Sequence, residues 1–184
     1  MTISTPTVSG QILTSAYVNN NINSGLVYVT TKTITAGSTT STIASCFPTD
    51  YNSFMVNFNL TGTASGDVQV NLRVGSTTAA GADYSEAGYY LDLTGSSNFA
   101  VNGVNQTKLS PIAISAALGS TGQLTINNPN LAVKTTFAST YLRDDFVSAK
   151  FGKHNVATAY DQLVLTCSAG TFGGTVTVYG YRIA

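Results

Sequence analysis

The clearest pattern in the chain is an alternation of apolar and polar residues over positions 53–60 and again over 67–74. Its apolar members are Phe54, Val56, Phe58, Leu60, Val68, Val70, Leu72 and Val74. Side chains of a β-strand point alternately to its two faces, so the pattern predicts two strands, each apolar on one face. The small, glycine-bearing segment 61–66 predicts that they form a β-hairpin, whose apolar face a second sheet must cover.

Other segments rich in β-branched and aromatic residues predict strands at 26–35, 41–45, 88–93, 111–117, 123–126, 131–138, 154–158, 161–167 and 175–183. Segments 76–82 and 95–105 are small and polar, and 141–153 is charged, so we expect loops there. About ten short strands without a strong helix between them predict an all-β fold, either an antiparallel β-sandwich or a jelly roll.

The first 24 residues differ from the rest of the chain. Pro6 and Gly10 favour an extended arm, and the apolar residues that follow are spaced for a short helix. We therefore expect an N-terminal docking arm at 1–24, held by neighbouring subunits or a larger assembly, and a β-sandwich domain at 25–184. The arm residues expected at that interface are Ile3, Ile12, Leu13, Tyr17, Val18 and Ile22.

The composition limits the classes of molecule that the protein is expected to bind. Only 9% of the residues are charged, against 43% that are hydrophobic, and the formal net charge is zero. So few charges are unusual for a free monomer and indicate assembly. Because Lys and Arg are not clustered, we expect no binding to nucleic acid or membrane. No apolar run is long enough to cross a bilayer and residues 1–10 lack signal-peptide features, so we expect the protein to remain in the cytoplasm where it is made.

The candidates for catalysis are weak. The single histidine, His154, is accompanied by no nucleophile-elbow motif, and we expect it at the surface or at a strand edge. The acids considered for glycoside hydrolysis are Asp83, Glu86, Asp92, Asp144 and Asp145. No spacing singles out a pair of them, so we expect no enzymatic activity.

The candidates for metal binding are equally weak. Asp144 and Asp145 could offer oxygen ligands to Ca²⁺ but lack the alternating Asp/Asn-Gly spacing of a calcium loop. Cys46 and Cys167, with one histidine, match no zinc-ligand spacing, and their spacing indicates no disulfide. We expect both cysteines to be small buried hydrophobic residues, and we expect neither a metal nor a cofactor.

Tyrosine is unusually frequent in the chain. Five tyrosines are predicted in or next to loops, namely Tyr84, Tyr89, Tyr90, Tyr141 and Tyr160. Their amphipathic rings could stack on sugars or on partner surfaces. The alternative is that the rings cover the sandwich edge, one in and one out, and the tyrosines alone do not decide between the two.

A set of short segments spans nearly the whole chain. GQILTSAYVN at 10–19 and LVYV at 26–29 are followed by Phe47, by YNSFMV at 51–56, by Asp67 with LRV at 72–74, and by Tyr89 and Tyr90. The chain ends with YDQL at 160–163, GTFGG at 170–174 and VYGYR at 178–182. This pattern of strand ends and turns resembles small β-sandwich virion proteins of tailed bacteriophages, of the type carried by cyanophages and marine phages.

The resemblance implies a phage structural protein located in the virion and assembled in the host cytoplasm. Similar sandwiches serve as capsid decoration or cement proteins, usually trimeric, which bind copies of themselves and the major capsid protein. Others are receptor-binding domains of tail fibres, which bind tail proteins and host surface glycans. Since no shaft, heptad or repeat is present, we favour decoration, with the fibre role as the alternative and a polysaccharide-cleaving enzyme as a weaker one.

Overall fold

The computed structural model describes residues 25–95, 98–116, 119–143 and 146–182. These residues form thirteen β-strands and no helix. The strands are β1 (Leu26–Ser38), β2 (Thr40–Ile43), β3 (Ser53–Gly62), β4 (Gly66–Val74), β5 (Thr77–Thr78), β6 (Tyr84–Asp92), β7 (Asn98–Gln106), β8 (Leu109–Ile114), β9 (Ser120–Asn127), β10 (Thr135–Arg143), β11 (Phe146–His154), β12 (Gln162–Cys167) and β13 (Phe172–Tyr181). The predicted arm and its short helix lie outside the described residues.

Two antiparallel sheets make up the fold. The larger has eight strands in the order β1-β13-β3-β9-β10-β11-β6-β7. The smaller has the order β2-β12-β4-β5, with β8 also paired to β4. The predicted all-β antiparallel sandwich is confirmed. Within the described ranges, no helix is long and apolar enough to span a membrane.

The predicted hairpin at 53–74 is wrong, although its two strands are present. β3 pairs with β13 and β9 in the larger sheet, whereas β4 pairs with β12, β5 and β8 in the smaller one. The segment between them therefore crosses from one layer to the other. The two apolar faces turn toward each other across the core, so that each strand supplies the cover that the other needs.

The core lies between the inward faces of the two sheets. The alternation in β3 buries Phe54, Val56, Phe58 and Leu60, and the alternation in β4 buries Val68, Val70 and Leu72. Register places side chains of neighbouring strands on the same face, so β9 adds Leu124 opposite Val56 and Ile126 opposite Phe54. The sequence alternation thus assigned the core face of both strands correctly except at Val74, which is exposed at the end of β4.

Three further expectations are wrong. Residues 98–106, predicted as a polar loop, form edge strand β7, which is largely exposed. In the segment 141–153, predicted as a charged loop, residues 141–143 form the end of β10 and residues 146–153 form most of β11. Residues 155–161, which include most of a predicted strand, are irregular. β7 is an edge strand, and the inward-facing Ser148 and Lys150 of β11 donate hydrogen bonds to backbone carbonyls, so both strands accommodate polar residues.

The cysteine prediction is confirmed in its main part. Both thiols are free; Cys46 is buried and Cys167 is half-buried. Burial raises the pKa of the Cys46 thiol to about 12, so it stays protonated near neutral pH.

Candidate functional site

Strand β8 organises the half of the molecule that carries the candidate site. Five of its six residues are buried, and it contacts β3, β6, β9, β10 and β11 of the larger sheet. One backbone edge of β8 pairs with β4. The other edge receives side chains from the inner face of the larger sheet: the Ser110 N–H donates to Glu86 Oε2 at 2.9 Å, and Ser139 Oγ donates to Pro111 O at 2.9 Å.

Lys150 also contacts this edge of β8. Its ammonium group donates to Ser110 O and lies 4.8 Å from the ring centroid of Tyr90. Only 3% of the residue is exposed. Buried lysines are costly unless their donors are satisfied, and here a carbonyl and an aromatic face take that role. The polar inner-face residues of β6, β10 and β11 therefore have a structural explanation.

Beyond β8, the inner face of the larger sheet forms one wall of a groove of about 320 Å³. We call it the inner groove. The larger sheet contributes Tyr90, Phe99, Val101, Tyr141, Arg143 and Phe146. Asp67 at the start of β4 and Ala113 of β8 form the opposite wall. Its size lies at the lower end of the range of about 300–1,000 Å³ that is typical of small-molecule sites.

The inner groove contains polar atoms that lack partners. The hydroxyl of Tyr141 and the Nε of Arg143 are both buried without a hydrogen-bond partner in the described structure. The hydroxyls of Tyr90 and Ser148 lie near the Tyr141 hydroxyl but outside hydrogen-bond geometry. Burial raises the pKa of the Tyr141 hydroxyl. The guanidinium carbon of Arg143 lies 4.9 Å from the Phe146 ring centroid.

Asp67 supplies the negative charge of the inner groove. Burial raises the pKa of its carboxyl above the usual value, while the positive charges of Lys150 and Arg143 oppose the shift. The groove therefore combines aromatic walls with one carboxylate and one guanidinium.

A second surface lies on the opposite side of the same strands. On β10, β11, β6 and β7, the side chains that point away from the core are mostly apolar. The outer apolar face consists of Ala87, Tyr89, Leu91, Ala100, Ala138, Leu142, Val147, Ala149 and Phe151. Register aligns Leu142 with Val147 and Val147 with Leu91, so the apolar side chains form continuous rows across the strands.

The rest of the larger sheet has a different outer surface. On β3, β9 and β13, the outward residues are mainly polar: Asn57, Asn59, Thr121, Gln123, Thr125, Thr175 and Thr177. On the outer apolar face, Lys153 is the one charged side chain among the described residues. Since monomeric proteins seldom expose large contiguous apolar patches, the contrast makes one half of this sheet a candidate interaction surface.

The five candidate tyrosines are divided among three environments. Tyr84, Tyr141 and Tyr160 are buried. Four of the five lie in strands, with Tyr84 at the start of β6, and Tyr160 lies in the irregular segment 155–161. Tyr84 is held by its hydroxyl, which donates to Ala79 O and accepts from Leu72 N, each at 3.0 Å. Tyr89 points outward on the outer apolar face, and Tyr90 points into the inner groove. The predicted alternative of one ring in and one out describes this adjacent pair.

His154 is also placed differently from the prediction. It is 1% exposed, at the end of β11 between Tyr84 and Tyr160, rather than at the surface. Its Nδ1 lies 3.5 Å from the Tyr160 hydroxyl, and its Nε2 has no partner in the described structure. Burial lowers its pKa. The described part of the chain contains no group of His, Cys, Asp and Glu suited to a metal ion. Asp144, Asp145 and the predicted arm residues lie outside it.

The sequence reasoning missed Phe99, Arg143 and Phe146 of the inner groove and Phe151 of the outer apolar face. All four lie in segments that were predicted as loops. The local signal was weak, because only Phe99 and Val101 follow the two-residue period of a strand, which is too short a run to predict one.

Comparisons with known proteins assign no family to the chain. No protein-family model and no curated protein matches it. Among solved structures, it is similar to the crystal structure of galectin LEC-6 from Caenorhabditis elegans, at 10% sequence identity and a TM-score of 0.38. The superposition covers 80% of this chain and 94% of the galectin. A similarity at this level carries no argument about family or function.

Proposed function

We propose that the chain is a bacteriophage virion structural protein without catalytic activity, which assembles with copies of itself and decorates the capsid. The single observation that carries the assembly role is the outer apolar face. Its near absence of charge means that a partner needs no countercharge there. A second copy of the chain meets that requirement, since charged residues are few throughout the sequence.

Two different surfaces are compatible with a closed ring, and the resemblance to phage sandwich proteins implies three copies. In a cyclic trimer, each copy uses two distinct patches, one for each neighbour. The outer apolar face supplies one of them. The other is an exposed cluster at the β1 edge, made by Leu26, Tyr28 and Tyr181, which register places together on the outer side of β1 and β13. In our proposal, Phe151 of one copy packs against Tyr28 of the next.

The proposed partners on the particle are the major capsid protein and, through the arm at 1–24, neighbouring subunits. This part follows from the resemblance to phage sandwich proteins and from the low charge of the chain. The mechanism is adhesive: many modest contacts, each too weak alone, stabilise the shell when they form together.

A second candidate function is a tail-fibre or receptor-binding protein that binds host glycans. One observation favours it, namely the inner groove with its aromatic walls and unpartnered polar atoms. Immunogold electron micrographs of particles made by the encoding phage separate the two candidates. Gold over the head surface supports decoration, gold at the tail supports the second candidate, and particles without gold contradict both.

A further inference from the structure

We propose that the inner groove binds a neutral saccharide, with the terminal sugar of an oligosaccharide lying between its aromatic walls. This inference deepens the receptor-binding candidate and rests on it. It does not depend on self-association, because Phe99 of the inner groove and Phe151 of the outer apolar face project from opposite faces of the same sheet.

The walls match the apolar face of a sugar ring. Tyr90 and Phe99 are register partners on neighbouring strands and point to the same side, and Phe146 lies on the inner face of the next strand. Phe99 is 54% exposed, so its ring is accessible from solvent. Aromatic rings offer large, rigid contact areas, and an exposed ring beside a groove stabilises a ligand that covers it.

The polar atoms match sugar hydroxyls. A hydroxyl both donates and accepts, and the inner groove offers an acceptor in the Asp67 carboxylate and donors in Arg143 Nε and the Tyr141 hydroxyl. Both donors are buried without partners, which is costly in the free protein and is relieved by a ligand that accepts from them. An apolar ligand leaves these atoms unsatisfied.

The charges favour a neutral ligand over an anion. Asp67 offsets Arg143 within the groove, and Lys150 behind it is already engaged by Ser110 O and the Tyr90 ring. A phosphate or carboxylate ligand would meet the Asp67 carboxylate at close range, which opposes its binding. A neutral molecule with several hydroxyls can hydrogen-bond to both Asp67 and Arg143 without electrostatic repulsion.

Saturation-transfer NMR on the full chain tests this proposal. The probes are the neutral disaccharides lactose, maltose and cellobiose, with acetate and methyl phosphate as anions that carry observable methyl protons. We expect saturation transfer to the ring protons of at least one disaccharide, and none to the anions. Transfer to the anions alone, or to none of the probes, overturns the proposal.

Paired variants identify the groove as the site. Phe99→Ala should weaken saccharide binding about tenfold, because the accessible stacking area is lost. Phe151→Ala, at 59% exposure the matched control on the opposite face, should leave it unchanged. An equal effect of both variants, or of neither, contradicts the assignment. Since Phe99→Ala leaves the outer apolar face intact, it should also leave self-association unchanged.

Tyr141→Phe separates binding from folding. The variant deletes only a buried hydroxyl that has no partner, so the free energy of unfolding should stay the same or rise. Saccharide affinity should fall, because one donor to the ligand is lost. A purely structural tyrosine would give the opposite result, lower stability with unchanged affinity, and that outcome would refute the role assigned to the hydroxyl.

Discussion

The imidazole of His154 lies against the phenol ring of Tyr84, with ring centroids 4.3 Å apart and planes tilted by 49°. The two residues are register partners on β11 and β6, and both point into the core. Tyr160 covers the other side of the imidazole at a centroid distance of 5.4 Å. The histidine is thus part of an aromatic stack, with no solvent to stabilise its charged form.

Acid should therefore destabilise the protein through His154. Burial lowers the pKa of the folded imidazole below its ordinary value of 6.5, while the negative charge of Asp83 opposes this in part. Below pH 6.5 the unfolded chain then binds a proton more readily than the folded chain. The free energy of unfolding therefore decreases as the pH is lowered. We expect the free energy of unfolding to drop more in the wild type than in His154→Phe between pH 7 and pH 5.5, by at most about 1 kcal/mol.

Urea titrations of both proteins at the two pH values measure this difference. Comparing the two proteins cancels the contributions of carboxylates elsewhere. Identical pH dependence in the wild type and His154→Phe would show that the imidazole stays protonatable in the folded state.

Lys150 should matter for stability far more than Lys153 on the same strand. Lys150→Met leaves the buried Ser110 carbonyl without its donor, and we expect a loss of about 1–3 kcal/mol. Lys153 is exposed, so Lys153→Met should change stability by less than about 0.5 kcal/mol. Urea denaturation of the two variants compares them directly. A Lys150→Met protein as stable as the wild type would mean that relief of the buried charge offsets the lost hydrogen bond.

Periodicity predicted the strands of this fold better than their pairing. The residues from Phe54 to Leu72 alternate identically whether the intervening loop turns within one sheet or crosses between two. An antiparallel neighbour and a facing layer both require one apolar face, so only tertiary contacts distinguish the two arrangements. The crossing observed here is therefore invisible to local pattern analysis.

The candidate site was harder to predict for a related reason. β11 carries Ser148, Lys150 and His154 on its inner face, where a core strand is expected to be apolar. Ser148 donates to Tyr89 O, Lys150 donates to Ser110 O and His154 packs between two tyrosine rings. Most of these contacts are distant in sequence. β7 was missed because an exposed edge strand lacks a buried face to mark it. Tyr90 was among the candidate recognition residues, whereas its register partner Phe99 was not.

The two thiols should react very differently. Because burial raises the pKa of Cys46 to about 12, its thiolate is scarce at pH 8, whereas Cys167 is half-buried. With a chromogenic disulfide reagent, we expect one thiol per native chain to react and two after denaturation in guanidinium. Two fast-reacting thiols in the native protein, or none after denaturation, would contradict the free, unequal cysteines described above.

Removal of residues 1–24 tests the docking arm. Every residue in the described core lies between Ile34 and Val178, so the truncated chain should keep its β-sheet circular dichroism and a similar thermal midpoint. It should no longer bind to phage particles, measured by co-sedimentation against the full chain. Full occupancy by the truncated protein would refute the predicted role of the arm.

Sedimentation velocity of the full chain tests assembly through the outer apolar face most directly. The wild type should sediment as a trimer, and Phe151→Asp and Tyr28→Asp should each sediment as smaller species, because a charge in either patch breaks the ring. An equimolar mixture of the two variants should form dimers, since one intact interface remains between the unlike copies. A monomeric wild type, or a Phe151→Asp protein that still forms trimers, would contradict the account.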